Sequence, residues 1–535
     1  MVAIQETEGL GVLLASQVTE DVKRLTQEIQ ELYALDAIPW IVGYSGGKDS
    51  TAVLQLVWNA IAALPPEQRQ KPVHVISTDT LVENPVISTW VIRSLRRMEE
   101  CAKEANLPFY PHQLTPTLED SFWVNLIGKG YPAPRQKFRW CTERLKIHPA
   151  NRFIRNIVRE NGETILVLGT RKAESAKRAA TMAKHAQGRV RDRLSPNASL
   201  PNSQVYSPIE DWNNDHVWLY LNQWANPWGH SNKELFGIYR GATADNECPL
   251  VVDTTTPSCG SSRFGCWVCT LVDRDKSMEA MVLNDETKEW MQALLDFREE
   301  LDFRSDEKRE NERQNRDFRR ISGNVHLFER QNKETGKSEI TNVPGPYLKK
   351  HRDYLLRRLL ETQQEVQKKA PLDMQDLELI SLQELSEIRR IWVQEKHEFD
   401  DSLPRIYEEV FGKEFIDPRP NAEDKTLGLD EWQILEEICG DDPVHFELVR
   451  KLLGAENDFN LKSRRVGILD TLENCFDNNS RDEVESIEAA KTKRKIKDAI
   501  QDADIYAVKQ LLVLDSETQE ENPKSWADMK FKKPD

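Results

Sequence analysis

Two groups of residues in this sequence have the types and spacing of a chemical site. The first is the run Ser45-Gly46-Gly47-Lys48-Asp49-Ser50-Thr51. Paired glycines let the backbone fold tightly enough for several N–H groups to point at one anion. Lys48 adds a point charge, and Ser50 and Thr51 add hydroxyls. The second group is five cysteines: Cys141, Cys248, Cys259, Cys266 and Cys269. The last two form C-x-x-C at the end of the glycine-bearing run 257–270. Two thiolates at that spacing on a turn can share one metal centre, with backbone N–H groups stabilising the sulfur charge. Three chemistries suit the set. One is a thioredoxin-type redox dithiol, which leaves the other cysteines surplus. Another is a four-thiolate zinc site. The third is an iron–sulfur cluster that takes four of the five and leaves one for chemistry.

These residues need a frame. Residues 38–44 read as a buried parallel strand and residues 52–58 as the opening of a helix. The loop between them then lies at a helix N-terminus, where the dipole favours an anion. It is not the G-x-x-x-x-G-K-[ST] phosphate loop. Residues 73–77 read as a second strand, 109–114 as a third and 164–170 as a fourth. Asp79 ends the second strand at the edge where open α/β sheets bind ligands. It is a candidate for the adenosine or Mg²⁺ side, and a helix-capping role stands beside that reading. Gly169 and Thr170 end the fourth strand and are candidates to line the nucleotide. A leading helix is expected over 18–35, and Asn84-Pro85 opens another that runs to about 105.

Two basic stretches flank the strand ends. Arg135, Lys137, Arg139, Arg144, Lys146, Arg152 and Arg155 surround Cys141, with Phe138 and Trp140 interleaved and only Glu143 opposing them. Arg171, Lys172, Lys177, Arg178, Lys184, Arg189, Arg191 and Arg193 follow, against Glu174 and Asp192. Such patches suit a phosphate-bearing partner, and solvated helix faces are the plainer alternative. Residues 187–203 are expected to form a mobile loop beside the nucleotide.

The chain has 535 residues, enough for two or three domains. The expected division is 1–275, a charged helical extension over 276–412, and an acidic helical module over 413–535 with a disordered tail. A net charge of −16 argues against a protein that coats nucleic acid with its whole surface, but leaves room for a local basic groove. The first 16 residues lack a basic n-region, and no apolar run is long enough to cross a bilayer. A cytoplasmic protein with no membrane partner is expected, its cysteines free, catalytic or metal-bound. Residues 306–320, almost wholly charged and polar, are expected to be solvated or loosely ordered. Residues 347–358 are basic and aromatic, and either extend a DNA surface or form a solvated helix face.

The motifs carry a family resemblance. The loop resembles the pyrophosphate loop of N-type ATP pyrophosphatases. Trp140-Cys141-Thr142-Glu143-Arg144-Leu145-Lys146, Glu174-Ser175 with Arg178, and Ser207-Pro208-Ile209-Glu210-Asp211-Trp212 followed by Asp215-His216-Val217-Trp218 resemble the PAPS reductase family. Glu247-Cys248-Pro249-Leu250, Thr256-Pro257-Ser258-Cys259-Gly260 and Arg263-Phe264-Gly265-Cys266-Trp267-Val268-Cys269 resemble more closely the DndC family, the sulfurtransferases of DNA phosphorothioation. The resemblance covers residues 35–272 and continues loosely through Gly345-Pro346-Tyr347-Leu348-Lys349-Lys350.

It implies an α/β fold of the adenine-nucleotide α-hydrolase type, a parallel sheet with helices on both faces, followed by a helical C-terminal region. It implies ATP, with residues 45–51 holding its β and γ phosphates, together with Mg²⁺ and a [4Fe–4S] cluster. Cys141, Cys266 and Cys269 are implied ligands, and Cys248 or Cys259 the fourth; the fifth cysteine becomes a candidate sulfur carrier. Lys48, Asp49, Arg144, Lys146 and Arg171 are the implied catalytic groups. Implied partners are DNA, a cysteine desulfurase and the other Dnd proteins. Three other activities share many of these features. They are tRNA thiolation, an adenylyl-sulfate-type reductase (whose C-terminal catalytic cysteine has no counterpart after Cys475), and a non-catalytic nucleotide-sensing scaffold.

Overall fold

Val18, Val22, Leu25 and Ile29 recur at three- and four-residue spacing, and a helix, α1 (Val2–Ala34), buries all four. The computed structural model describes residues 2–186, 193–197, 199–242, 264–303, 305–331, 338–419, 428–460 and 464–501. Cys248, Cys259 and the C-terminal tail lie outside the described residues. The chain divides into two compact units, one of residues 1–124, 133–302 and 358–381, the other of 125–132, 303–357 and 382–535. No described helix is long and apolar enough to cross a membrane.

The first unit is built on a six-stranded sheet. Its strands are β1 (Trp40–Gly43), β2 (Val73–Thr78), β3 (Phe109–Leu114), β4 (Thr164–Val167), β5 (Ser195–Pro196) and β6 (Ser203–Tyr206). Their spatial order is β3-β2-β1-β4-β6-β5. Every pairing is parallel except that of β5 with β6. Alternation along β1 explains why both faces need cover. Trp40 and Val42 join the core made with α1, α2 (Lys48–Ala62), α3 (Pro85–Glu104) and the helix 214–223. Ile41 points the other way, to a smaller core with Ile154 and Ile157 of α4 (His148–Asn161). The sheet with helices on both faces is therefore of the adenine-nucleotide α-hydrolase type.

The strand order reverses at β1. From β1 the chain moves outward through β2 to β3, then returns to place β4 on the other side. Connections leaving β1 and β4 thus diverge and open a crevice at their carboxyl ends, the usual ligand position in such sheets. Residues 45–51 and 168–171 are those connections.

The expectation of a mobile loop over 187–203 is corrected in part. Ser195 and Pro196 pair with Val205 and Gln204, so a short edge strand closes the sheet there; residues 187–192 lie outside the described residues.

The second unit is helical, with one hairpin of Leu327–Gln331 and Ser338–Asn342. Residues 306–320 form a helix and turns whose described side chains are exposed or half-buried apart from Glu312, in keeping with the solvated stretch the composition suggests. Ser305 caps a helix over Asp306–Gln314 by accepting from the Lys308 N–H at 3.2 Å. Glu312 is buried and pairs with Arg316 at 3.6 Å.

Candidate active site

The loop after β1 is braced by its own hydroxyls. Ser50 Oγ and Thr51 Oγ1 both donate to the Gly47 carbonyl, at 3.0 and 2.9 Å, and the Ser45 N–H donates to Ser50 Oγ at 3.2 Å. Gly46 has φ +73°, a conformation side chains rarely adopt, and its carbonyl accepts from Trp90 Nε1 at 3.1 Å. α2 begins at Lys48, so the N–H groups of its first turn face the crevice without helical partners. This is a backbone cradle for an anion.

Three side chains set its charge. Lys48 is almost fully buried, and burial lowers its pKa although Asp49, 3.6 Å away, opposes the shift. An incoming phosphate would favour the ammonium form. Arg171, 2% exposed, pairs through Nε with Asp49 Oδ1 at 2.8 Å. Its other nitrogens donate to the Trp212 carbonyl at 3.2 Å and Asn214 Oδ1 at 2.8 Å. One guanidinium thus ties the end of β4 to the start of α2 and to the helix 214–223. Tyr239 accepts from the Lys48 N–H through its hydroxyl at 3.2 Å, and its ring lies 5.2 Å from Lys48 Nζ.

Gly169 is the closest approach between the two crevice walls. A Cβ there would lie 2.8 Å from the backbone C and O of Asp49. The Gly169→Ala substitution must therefore push the walls apart. A misplacement approaching 1 Å costs on the order of 100-fold in rate. Steady-state assays of pyrophosphate release should show that loss while circular dichroism stays unchanged. Thr170 Oγ1 is engaged with Ser207 Oγ at 2.8 Å.

Asp79 faces a different task. Its Oδ1 accepts from the Leu81 N–H at 2.8 Å and its Oδ2 from Gln113 Nε2 at 2.9 Å. Both oxygens brace the turn after β2, and the helix-capping role falls instead to Asn84, whose Oδ1 accepts from the Val86 N–H at 3.0 Å.

That turn leads to the cysteines. Glu83 and Cys266 form a backbone bridge, the Trp267 N–H donates to the Val82 carbonyl at 3.0 Å, and the Asn84 N–H to the Gly265 carbonyl at 3.2 Å. The Cys269 N–H donates to the Cys266 carbonyl at 3.0 Å, closing the C-x-x-C turn. Large rings fix both cysteine segments. Trp267 packs on Trp123 and Phe297 at centroid distances of 5.8 and 6.1 Å, and Trp140, beside Cys141, stacks on Phe122 at 5.4 Å. Arg298 Nε holds the Cys269 carbonyl at 3.0 Å.

Cys141, Cys266 and Cys269 are electrostatic neighbours: Cys269 raises the pKa of both others, after the larger effect of burial. Burial, then Glu83, push Cys266 up to about 12. Thr80 Oγ1 lies 3.3 Å from Cys266 Sγ. Lys146 pairs with Glu83 at 3.2 Å; burial lowers its pKa, but Cys266 and Glu83 raise it further, and it stays charged. Among the described residues no group of three His, Cys, Asp or Glu side chains is arranged to hold one metal ion. The donor chemistry of three thiols with an adjacent ammonium nevertheless fits a thiolate-bound centre, because the cation offsets the charge that thiols acquire when a metal displaces their protons.

The loop and the thiols share one support. Trp90, which holds Gly46, and Glu83, which bridges Cys266, are seven residues apart across the start of α3. Glu83 precedes the N-cap Asn84, and Trp90 lies in the second turn of α3. Phe264, two residues before Cys266, packs edge-on against Tyr239 at 4.8 Å and so makes a second link to Lys48.

The basic residues divide into two kinds. Lys172 pairs with Asp211 at 2.7 Å, Arg178 with Glu174 at 3.2 Å and Arg193 with Glu28 at 2.9 Å. Arg144 lies 3.5 Å from Asp120. These stabilise the fold. Lys137, Arg139, Arg152 and Arg155 are exposed around the Cys141 segment and remain available to a polyanion.

Parallel strands reversing at β1, with the glycine loop at the reversal, specify the nucleotide-binding half. Residues 39–228 match the phosphoadenosine phosphosulfate reductase domain family. β1 to β6 and the loop fall inside the matched residues. An uncharacterized protein of Methanocaldococcus jannaschii is 26% identical over 193 residues, which are 36% of this chain and 33% of that protein. The match thus spans about a third of that relative's length. Among solved structures, Candida glabrata FMN adenylyltransferase in complex with FAD and inorganic pyrophosphate is 13% identical, with a TM-score of 0.24, covering 52% of this chain and 82% of that one. The U34-tRNA thiolase NcsA from Methanococcus maripaludis with its [4Fe-4S] cluster is 15% identical, with a TM-score of 0.24, covering 54% and 80%.

Sequence reasoning did not find Tyr239, Asn214, Thr80 or Glu83. None carries a local signal, and each is brought in by a contact between segments remote in sequence.

Proposed function

We propose that this chain is a sulfurtransferase of DNA phosphorothioation, of the DndC family, which uses ATP to activate a backbone phosphate and replaces one non-bridging oxygen by sulfur. The observation that carries the reading is the placement of a pyrophosphate-type loop and a C-x-x-C turn on the two ends of one short support. A phosphodiester oxygen is a poor leaving group. Its attack on the α phosphate of ATP expels pyrophosphate and makes that oxygen part of a good one, AMP. The cradle of N–H groups at residues 46–50 and Lys48 bind the departing pyrophosphate. Arg171 holds Asp49 and so fixes the start of α2 against it. Mg²⁺ arriving with the nucleotide would supply further positive charge against the phosphates. Lys137, Arg139, Arg152 and Arg155 would bind DNA phosphates beside Cys141, and Lys146, with Arg144 exchanging Asp120 for it, would meet the acceptor phosphate.

Cys141, Cys266 and Cys269, with Cys248 or Cys259, would hold a [4Fe–4S] cluster, which supplies a soft site for handling sulfur. The remaining cysteine would carry sulfur received from a cysteine desulfurase, and other Dnd proteins complete the system in the cytoplasm. The test is product analysis. DNA from cells carrying the whole system should yield phosphorothioate dinucleotides on nuclease digestion and mass spectrometry, and an Asp49→Ala variant should yield none. Sulfur found in tRNA instead of DNA contradicts the reading.

A further inference from the structure

The second unit contains an open cleft of about 1070 Å³ whose charge is opposite to that of the chain. Eleven lysines and arginines line it against six aspartates and glutamates, in a protein of net charge −16. Some of these cations are neutralised: Arg319 pairs with Asp317 at 3.3 Å, and Lys349 with Asp353 at 2.7 Å and Asp400 at 2.8 Å. Others are not. Arg313 donates to the Asn342 amide oxygen at 3.0 Å, and Arg320 to the Pro344 carbonyl at 3.2 Å, which are neutral acceptors. Exposed Lys350 forms no ion pair among the described residues.

At the inner wall Arg352 is 2% exposed, lies 5.1 Å over the Trp392 ring and pairs with Glu398, yet its Nη1 has no partner. A buried guanidinium nitrogen without an acceptor is costly unless a ligand supplies one. Two more ammonium groups share the wall. Burial, then Arg352, lower Lys396 to about 7; burial, then Arg450, lower Lys451. An anion in the cleft relieves all three. Rings stand among the charges. Half-buried Trp432 and Phe446 meet edge to face at 5.0 Å, Lys349 Nζ lies 6.0 Å over Trp432, and the Arg319 guanidinium lies 4.6 Å over Phe318.

The volume passes the roughly 300–1,000 Å³ range of small-molecule pockets, and the walls are cationic rather than apolar. Cations spaced along an open groove with aromatic faces between them match the needs of a phosphodiester chain with unstacked bases. We propose that this cleft binds a segment of single-stranded nucleic acid, with Arg313, Arg320, Lys350 and Arg352 taking phosphates and Trp432 taking a base. The site stands on the geometry of the second unit; only the choice of a nucleic acid over another polyanion rests on the function proposed above.

The test uses the full chain and a fluorescein-labelled single strand of about 12 nucleotides, followed by anisotropy between about 50 and 200 mM salt. Wild type should bind and weaken steeply with salt. The Arg320→Glu/Lys350→Glu variant should lose at least about tenfold in affinity and have a shallower salt slope. Trp432→Ala should lose about five- to tenfold with the slope unchanged. Nucleotide binding at the loop and thermal unfolding should match wild type in both variants and certify the fold. Equal binding by wild type and the double variant overturns the assignment, as does displacement of the strand by ATP or by inorganic polyphosphate at equal phosphate concentration. The two readings fail separately. Strand binding by a Cys266→Ser variant without sulfur product supports the cleft and leaves the chemistry to its own test.

Discussion

Replacing Arg171 by methionine should lower pyrophosphate release from ATP by on the order of 100- to 1,000-fold. Arg171 touches Asp49, the Trp212 carbonyl and Asn214 together. Without it the Asp49 carboxylate faces an incoming polyphosphate with only Lys48 to offset its charge. Breaking a buried pair by removing one partner also costs about 3–5 kcal/mol in stability. Thermal unfolding should therefore be measured alongside single-turnover ATP cleavage. The Arg171→Met/Asp49→Asn double variant separates the two effects. It removes the orphaned carboxylate, so stability should return more than activity does. Arg171→Lys should not rescue the rate, because an ammonium cannot span three acceptors held by a planar fork. A single variant with wild-type turnover would reduce Arg171 to scaffolding.

The second large effect concerns Cys266. The Cys266→Ser variant should abolish sulfur incorporation into nucleic acid, a fall of at least about 100-fold, while cleavage of ATP changes by only a few-fold. The asymmetry follows from separate anchors, Gly46 on Trp90 within α3 and Cys266 on Glu83 before it, which lets the loop bind pyrophosphate whether or not the thiols are intact. Iron and sulfide content should fall with the sulfur activity, and anaerobically purified wild type should be brown where the variant is pale. A colourless wild type containing zinc would replace the cluster with a structural zinc site. Equal loss of ATP cleavage and sulfur transfer would mean that the C-x-x-C turn mainly supports the crevice, through Phe264 and Tyr239.

The difference between what was legible and what was not has physical causes. Residues 45–51 could be read because glycine spacing, strand pattern and helix start are all local, and each local choice agrees with the fold. The three described cysteines could be grouped because few side chains other than thiols suit soft-metal chemistry. Asp79 could not be assigned, since a carboxylate at a strand end serves a cap or a ligand equally well; that Asn84 rather than Asp79 caps α3 shows only in the structure. Arg171 and Asp49 lie 122 positions apart, and their pairing depends on β4 returning beside β1. The basic runs misled where counting replaced geometry: Lys172, Arg178 and Arg193 are neutralised by Asp211, Glu174 and Glu28.

The central claim is that a nucleic-acid phosphate oxygen attacks the α phosphate of ATP and leaves within AMP when sulfur takes its place. DNA carrying ¹⁸O at its non-bridging phosphate positions tests this directly. With ATP, a sulfur donor and the partner proteins, mass spectrometry should find one ¹⁸O atom in AMP for each phosphorothioate formed. Unlabelled AMP, or ADP as the nucleotide product, would contradict it.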